Sequence, residues 1–375
     1  MNVDESLVLL GGLSPAQFMR RHWQKKPLLV RQAIPGFAPL VPRAELFGLA
    51  GREDVESRLL RHGDGRWALR RGPLARRALP PLTQREWTVL VQGVDLHHAG
   101  VHALMQRFRF VPDARLDDVM ISWASDGGGV GPHFDRYDVF LLQAQGRRRW
   151  RIGRQKDLSL VEGLPLKILA HFEPEHEYLL EPGDMLYLPP RWAHDGVAEG
   201  ECMTYSIGFR QPARGELAGE LLQRLAEEAG DVLGEGAYRD PSQPATASPG
   251  AVPPAMLAFA HEAVQRLAGD AELLAMLLGE WLTEPKPDVW FDAGVEADAD
   301  RARAVVLDRR TRMMHDARHV FINGEGFRAA GRDAGLMRKL ADARQLGASE
   351  RQRLSAPARA LLAQWLQAGW AHESD

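Results

Sequence analysis

The sequence predicts a protein of the α+β class, with a strand-rich first part and a helix-rich second part. From Asp118 to Ile207, short apolar segments alternate with turn sequences such as Asp126–Gly129 and Glu181–Asp184. Beyond Arg210, the apolar residues instead recur every four positions, as they do on one face of an α-helix. Many short strands separated by turns are typical of a sandwich or a barrel, and a jelly roll is one such fold.

The composition is that of an ordinary globular protein. Of the 375 residues, 45% are hydrophobic and 26% are charged, which excludes an intrinsically disordered chain. Lysine and arginine number 47 and the acidic residues 50, so the net charge is −3. This balance excludes a surface coated with cations for binding nucleic acid, although it leaves a local basic patch open.

The sequence also bears on the cellular compartment. Cys202 is the single cysteine, so the chain forms no intrachain disulfide, and we expect this thiol to be a small buried apolar residue. No stretch of about 18 apolar residues is present, and the acidic N-terminal residues are unlike a signal peptide. We therefore expect a cytoplasmic protein with no membrane partner.

Two helical segments follow the strands. Leu217, Leu221 and Leu225 mark the first, and a segment rich in proline, glycine and alanine separates it from the second, at Gly234–Pro254. The second helical run, Met256–Leu278, has a broad apolar stripe. One helix pair of this length makes a poor core by itself, so packing on a neighbour or on a second subunit is expected.

The C-terminal part has the pattern of a winged helix. Asn323-Gly324 predicts a tight β-hairpin, because this dipeptide readily adopts the positive φ angles of a type I′ turn. Two helices are predicted after it, around Leu336–Leu346 and Pro357–Leu366. The second of them has Arg359 as its only cation, so direct binding of nucleic acid by this helix is not predicted.

The segment Gly131–Asp135 is the strongest candidate for a metal site. Residues two apart on a strand face the same side, so the imidazole of His133 and the carboxylate of Asp135 can converge on one cation. His194 follows soon after the strand Met185–Leu188. Two imidazoles and a carboxylate on one face form the facial triad of non-haem Fe(II) oxygenases. We therefore predict His133, Asp135 and His194 as metal ligands.

A histidine two residues before an acidic residue is, by itself, weak evidence for a metal site. The chain has three such pairs, the other two being His62 with Asp64 and His171 with Glu173. The first lies in a turn sequence and the second in an acidic stretch, so we expect both on the surface. The pair at His133 instead lies between a glycine run and an apolar strand. A buried, hydrogen-bonded pair without metal is the alternative for it.

A run of arginines supplies a candidate for anion binding. On a strand, Arg147, Arg149 and Arg151 face one side, while Arg148 faces the other side together with Trp150. Exposed charges usually form a solvated face, which fits the first set. A guanidinium that points inward needs an anion, and a dicarboxylate can accept two parallel hydrogen bonds from it. Arg148 is therefore the predicted anion anchor.

Blocks of sequence that follow one another in a fixed order are more specific than any one motif. Here they are His22–Leu29, Asp118–Ser122, Gly127–Phe140, Gly146–Trp150, Glu181–Pro190 and Tyr205–Phe209. Together they resemble the JmjC-type ribosomal oxygenases of the cupin superfamily, in particular the bacterial branch that hydroxylates an arginine of large-subunit ribosomal protein sixteen. The resemblance is strong from about residue 116 to 210 and at the first block, and elsewhere it concerns the layout.

The resemblance implies three domains: a JmjC double-stranded β-helix (jelly roll) over 1–210, a helical dimerisation domain over 211–285 and a winged-helix-like domain over 286–375. It implies Fe(II) held by His133, Asp135 and His194, with 2-oxoglutarate as cosubstrate and dioxygen as co-reactant. In this family pattern Arg148 binds the far carboxylate of 2-oxoglutarate. Ser122 and Met203 match further positions that contact the cosubstrate.

The implied reaction is hydroxylation of the β-carbon (C3) of an arginine in large-subunit ribosomal protein sixteen by a homodimeric enzyme. Acidic or aromatic walls suit a cationic substrate, and Tyr137 and Asp138 are the candidates for them. The chain departs from many relatives at Asp195, where they have glutamate. Two alternatives stay open: the same chemistry on RNA or on another protein, and a non-catalytic ribosome-binding cupin.

Overall fold

The computed structural model describes residues 2–63, 66–294 and 303–374, and the chain separates into two units, Met1–Gln211 and Pro212–Asp375. The described residues of the first unit form three α-helices and ten strands, besides three short 3-10 helices at Val8–Leu10, Arg76–Ala78 and Val94–Leu96. Its helices are α1 (Pro15–Arg21), α2 (Arg43–Ala50) and α3 (Ala99–Gln106). Its strands are β1 (Leu28–Val30), β2 (Ser57–Gly63), β3 (Arg66–Arg71), β4 (Trp87–Val91), β5 (Leu116–Ala124), β6 (His133–Phe134), β7 (Val139–Arg154), β8 (His176–Leu180), β9 (Met185–Leu188) and β10 (Trp192–Phe209).

These strands form one continuous sheet in the order β1-β9-β7-β10-β5-β4-β2-β3, with β6 added to β10 and β8 to β7. The long strands β7 and β10 pair along most of their length, and the pairing is irregular between Glu199 and Thr204. Gly146 lies at this irregularity with a φ of 61°, and a Cβ there would lie 2.0 Å from the carbonyl oxygen of Glu201. Glycine thus lets the two strands bend together. The predicted jelly roll is confirmed.

Aromatic rings fill one layer of the roll and attach the N-terminal block to it. The ring centroid of Phe18 lies 4.9 Å from that of Tyr187, and the Trp23 centroid lies 5.0 Å from that of Phe209. The buried Asp138 carboxylate accepts hydrogen bonds from the Tyr187 hydroxyl at 2.6 Å and from Gln24 Nε2 at 3.1 Å. Burial raises the pKa of Asp138, and these hydrogen bonds oppose that rise.

The second unit combines helices with two small antiparallel sheets, ordered β15-β11-β16 and β12-β13-β14. Its helices are α4 (Arg214–Leu233), α5 (Pro254–Ala268), α6 (Ala271–Thr283), α7 (Gly331–Ala343), α8 (Ala348–Gln352) and α9 (Ala356–Gln367). Its strands are β11 (Ala304–Leu307), β12 (Met313–His315), β13 (His319–Ile322), β14 (Glu325–Arg328), β15 (Gln345–Leu346) and β16 (Ala371–Ser374).

The C-terminal hairpin is confirmed and the second helical run is corrected. Asn323 and Gly324 join β13 to β14 with φ angles of 48° and 90°, as a type I′ turn requires. The run predicted as one helix is two, because Asp270 caps the start of α6 by accepting from the backbone N–H of Leu273 at 2.9 Å. The predicted boundary between residues 285 and 286 lies inside this unit and stays a prediction. None of the described helices has the length and apolar character needed to cross a membrane.

The turn at Gly324 gives a stability prediction. Replacement of Gly324 by Ala forces a side chain into the left-handed region and should lower the free energy of unfolding by about 1–2 kcal/mol. Gly335→Ala is the matched control, since a Cβ there meets open space inside α7, and it should stabilise by about 0.5–1 kcal/mol. Thermal or denaturant unfolding measures both, and equal effects would contradict the turn assignment.

Candidate functional site

A short antiparallel pairing brings two distant histidines together. Strand β6 is only two residues long, and in its register with β10 His133 lies opposite His194 while Phe134 lies opposite Ala193. Directly opposed residues have side chains on the same face of a sheet. The two imidazole ring centroids are accordingly 4.3 Å apart.

Asp135 completes a cluster of three potential metal ligands. Its Oδ2 lies 3.7 Å from His194 Nε2, and one ligand atom from each of the three residues lies within 4.8 Å of the others. His133 Nδ1 lies 2.8 Å from the carbonyl oxygen of Gly131, and His194 Nδ1 lies 3.0 Å from that of Trp192. A carbonyl only accepts, so each Nδ1 bears the proton and each Nε2 keeps its lone pair for a cation. The donor set suits a divalent transition metal with open positions.

The electrostatic surroundings of His194 favour the neutral imidazole, which is the form that binds a metal. The residue is 3% exposed, and its burial, together with the neighbouring His133, lowers its pKa to about 4. The ring is therefore neutral at pH values above about 5. A metal that binds near neutral pH then displaces no proton from this imidazole.

The arginine run divides between the two faces of β7, as strand alternation predicts. The side chains of Arg149 and Arg151 are 41% and 43% exposed, whereas Arg148 is 3% exposed. Arg149 forms ion pairs with Glu199 and Glu177, and Arg151 forms one with Asp195 at 2.5 Å. Asp195 thus holds an arginine on the outer face.

The inward Arg148 lacks an anionic partner among the described residues. Its Nη1 donates to Ser122 Oγ at 3.2 Å, while its Nε and Nη2 are buried without any hydrogen bond. Its guanidinium carbon lies 5.7 Å from the centre of the Trp150 ring. A buried charge with unsatisfied donors is costly, and a carboxylate that accepts from both nitrogens removes the cost. The predicted anion anchor therefore has the geometry for that role.

Arg148, Ser122 and the three candidate ligands line one cavity of about 250 Å³. Alternate residues of β5 form one wall of it, namely Asp118, Met120 and Ser122. Asp118 and Ser122 lie about 13 Å apart along the strand, so the cavity has an acidic end well separated from Arg148. Its remaining lining residues are Arg58, Leu90, Gln92, Asp117, Val130, Tyr137, Val139, Leu141, Trp150, Ser206 and Gly208.

Asp118 is a site residue that the sequence prediction missed. Its side chain is buried, and Oδ2 accepts hydrogen bonds from Gln92 Nε2 at 2.7 Å and from the Gly93 N–H at 2.9 Å. Arg58 Nη2 donates to Gln92 Oε1 at 3.0 Å, which fixes which end of the amide faces the carboxylate. The available signal was the alternation of Asp118 with Ser122 on one strand face.

Of three further candidates, the structure places Tyr137 at the cavity and Met203 and Asp138 away from it. Met203 is fully buried in the main core and does not line the cavity, because on β10 it alternates with the inward-facing Thr204, the partner of Ser122. Asp138 likewise lies in the core beside Tyr187 and does not line the cavity. Tyr137 does line it and is 42% exposed.

Two of the remaining candidates behave as expected: His171 and Glu173 are exposed, and Cys202 is buried beside Ala124 and Ala198. His62, expected in a turn at the surface, instead lies on β2, half-buried, and stacks on the Trp67 ring with centroids 4.3 Å apart. Asp64 lies outside the described residues.

Comparisons with known proteins agree with the fold. The family model of the JmjC domain matches residues 103–217, and the model described as a ROXA-like winged helix matches residues 266–372. A curated relative from Escherichia coli (strain K12), the ribosomal protein uL16 3-hydroxylase, is 38% identical over 275 residues, which span 72% of this chain and 72% of the relative.

Solved structures extend the likeness to nearly the whole chain. The X-ray structure of Escherichia coli ycfD has a TM-score of 0.85 and 32% identity, covering 96% of this chain and 98% of the other. A structure of YcfD, a ribosomal oxygenase from Escherichia coli, in complex with cobalt and 2-oxoglutarate has a TM-score of 0.81 and 32% identity over the same shares.

The ligand cluster gives a metal-binding prediction. Replacement of His133 by Ala removes one of three ligands and should weaken Co²⁺ binding more than about a hundredfold, since loss of even an outer hydrogen-bond partner costs tenfold to a hundredfold. His171→Ala is the matched control, because His171 has the same spacing to an acid and is exposed. Titration calorimetry without cosubstrate measures both variants, and equal affinities would refute the assignment.

Proposed function

The chain belongs to the family of JmjC-domain ribosomal oxygenases, and on this premise we propose that it is an Fe(II)- and 2-oxoglutarate-dependent dioxygenase. Its substrate is an arginine of the large-subunit ribosomal protein uL16, hydroxylated at the β-carbon (C3). The observation that carries the proposal is one cavity that joins the His133, Asp135 and His194 cluster to the unpaired, buried Arg148.

The residues present fit the implied metal and cosubstrate. His133, Asp135 and His194 would hold Fe(II), because both imidazoles keep Nε2 available and the carboxylate supplies a negative charge. With dioxygen, the bound metal and 2-oxoglutarate supply an oxidant that converts C–H to C–OH, while 2-oxoglutarate becomes succinate and carbon dioxide. The protein orients the reactants and keeps bulk water away from them.

Arg148 and Ser122 bind the cosubstrate in this proposal. The Nε and Nη2 donors of Arg148 point at no protein acceptor, and Ser122 Oγ accepts from Nη1, so a carboxylate can take two parallel hydrogen bonds from the guanidinium. Both residues are almost fully buried. Their hydrogen bonds to a dicarboxylate are therefore shielded from competing water.

The acidic end of the cavity accounts for an arginine substrate. Asp118 presents a carboxylate that Gln92 and Gly93 hold in place, and Tyr137 offers a ring on which a guanidinium can stack. Met120 lies between Asp118 and Ser122 on the same strand face and lines the path with an apolar side chain. A long cationic side chain can thus place its charge at Asp118 and leave its aliphatic part toward the metal ligands.

Several further features belong to the proposal. The enzyme is a homodimer, supported by exposed apolar residues on α4 and α5, among them Leu222, Leu257 and Val264, which are 58%, 59% and 64% exposed. The proposal includes the three-domain division at 210 and 285 and a cytoplasmic location, which a ribosomal substrate supports. Oxygenation of RNA or of another protein, and a non-catalytic ribosome-binding role, remain the alternatives that the experiments distinguish.

Hydroxylation of uL16 is tested with the iron-loaded protein, 2-oxoglutarate and a uL16 peptide. Mass spectrometry should show one added oxygen on an arginine. Asp118→Asn should lower kcat/KM for the peptide by about tenfold to a hundredfold, because a hydrogen bond to a charged group contributes about 1.5–3 kcal/mol. The amide can still accept from Gln92 and Gly93, so the KM for 2-oxoglutarate should not change.

The outcomes of this experiment separate the alternatives. Succinate formation that ribosomal RNA or another protein stimulates, without oxygen on the peptide, would favour a different substrate. Binding of ribosomes that survives His133→Ala, with no succinate formed by either form, would favour the non-catalytic role.

The role of Arg148 gives a separate prediction. Arg148→Lys loses the planar pair of donors and should raise the KM for 2-oxoglutarate by about tenfold to a hundredfold. Arg149→Lys is the matched control, since the neighbouring arginine faces outward and pairs with Glu199. Steady-state succinate assays measure both, with circular dichroism to check folding. An unchanged KM in Arg148→Lys would contradict the anchor role.

A further inference from the structure

An arginine-rich hairpin lies at the edge of the jelly roll. From Ser57 to Arg85 the sequence has eight arginines, no lysine and one acidic residue, in a chain whose net charge is −3. Strands β2 and β3 form the first half of this segment, and β3 is the last strand in the sheet order. The segment is therefore a local basic patch on a protein that is acidic overall.

The register of the hairpin groups three of these arginines on one face. Arg61 lies opposite Ala68, and Arg66 and Arg70 are the residues two positions before and after Ala68 on β3. All three side chains thus project on the same side around a small residue, with Arg66 and Arg70 about 13 Å apart. The three residues, called here the arginine face, are all exposed.

The arginine face differs from the other arginine run of the same sheet. On β7, Arg149 and Arg151 are neutralised by Glu199, Glu177 and Asp195. Among the described residues, no acidic side chain forms an ion pair with Arg61, Arg66 or Arg70, and the nearest pairs in sequence belong to Arg58 and Arg85.

Protection of a sheet edge does not account for the whole patch. Edge strands often bear charges that prevent pairing with another chain, and one or two lysines on the edge strand suffice. Here the cations continue onto β2 at Arg61 and onto the exposed Arg76 and Arg77 beyond β3. Every one is an arginine, whose planar donors match phosphate oxygens in pairs.

We propose that the arginine face binds the phosphate backbone of RNA. RNA is favoured over an acidic protein or a membrane because the proposed substrate is a ribosomal protein, whose surroundings are RNA, and on this point the inference rests on the proposed function. The surface would hold the enzyme against RNA while the cavity acts on the protein side chain. It is built from the jelly-roll unit, not from the winged helix.

The test compares wild type with Arg61→Gln/Arg66→Gln/Arg70→Gln, using a fluorescent, unstructured RNA of about 20 nucleotides. Arg107→Gln/Lys156→Gln/Lys167→Gln is the matched control, since it removes three exposed cations dispersed over the same unit. Anisotropy titrations between about 50 and 200 mM salt give the dependence of log K on log salt. The Arg61, Arg66 and Arg70 variant should bind the RNA at least about tenfold more weakly than wild type. The slope of its log K against log salt should be smaller in magnitude by about 2, because each phosphate contact on a single strand contributes about 0.7.

The same experiment can overturn the proposal. Equal losses in the two triple variants would show a diffuse charge effect rather than a surface. Tighter binding of the wild type to polyglutamate, or to vesicles of phosphatidylserine and phosphatidylcholine, would assign the face to an acidic protein or a membrane. Peptide hydroxylation is measured in parallel and should be equal in the triple variant and wild type. If neither the wild type nor the triple variant hydroxylates the peptide, the proposed function is refuted, whereas the RNA-binding result is unaffected.

Discussion

The pairing of β6 with β10 is the constraint on which the site depends. A two-residue strand has few hydrogen bonds with which to hold its register, yet a slip of one residue would turn His133 away from His194. Neighbouring contacts therefore have to fix β10. Asp195 and Arg151 pair across the sheet, and Gly196 lies so close to Trp150 that a Cβ would stand 2.6 Å from its ring. The sheet outside the cavity thus sets the geometry inside it.

The buried guanidinium of Arg148 destabilises the fold, and a bound ligand would compensate for this. Burying a guanidinium with two unused donors destabilises the protein, and an apolar residue at this position would pack at less cost. The Trp150 ring and Ser122 Oγ reduce the cost in part. A bound dicarboxylate would remove most of it, so occupancy of the site should also stabilise the fold.

The sequence predicted those site residues whose chemistry depends on local spacing. His133 lies on β6 and Asp135 directly follows this strand, and their side chains converge as residues two apart in an extended segment are expected to. Arg148 faces inward, whereas its neighbours on β7 face outward. Met203 rested on the resemblance alone, with no local spacing behind it. It is buried in the main core, whereas its neighbour Thr204 pairs with Ser122.

Asp118 and Asp138 illustrate a second limit. Both are acidic residues next to apolar strands, and the sequence favoured the one nearer the metal motif. The two residues differ in their tertiary contacts. Tyr187 and Gln24, far away in sequence, bind Asp138 within the core, whereas Gln92 and Gly93 hold Asp118 at the cavity wall. Long-range partners of this kind leave no periodic signal in the chain.

The opposite charges at the two ends of the cavity have a consequence for how ligands orient. Arg148 lies buried at one end, and the buried carboxylate of Asp118 lies at the other. Because charges are weakly screened where little water surrounds them, an ion in the cavity is attracted at one end and repelled at the other. The electric field along the cavity thus sorts bound groups by the sign of their charge.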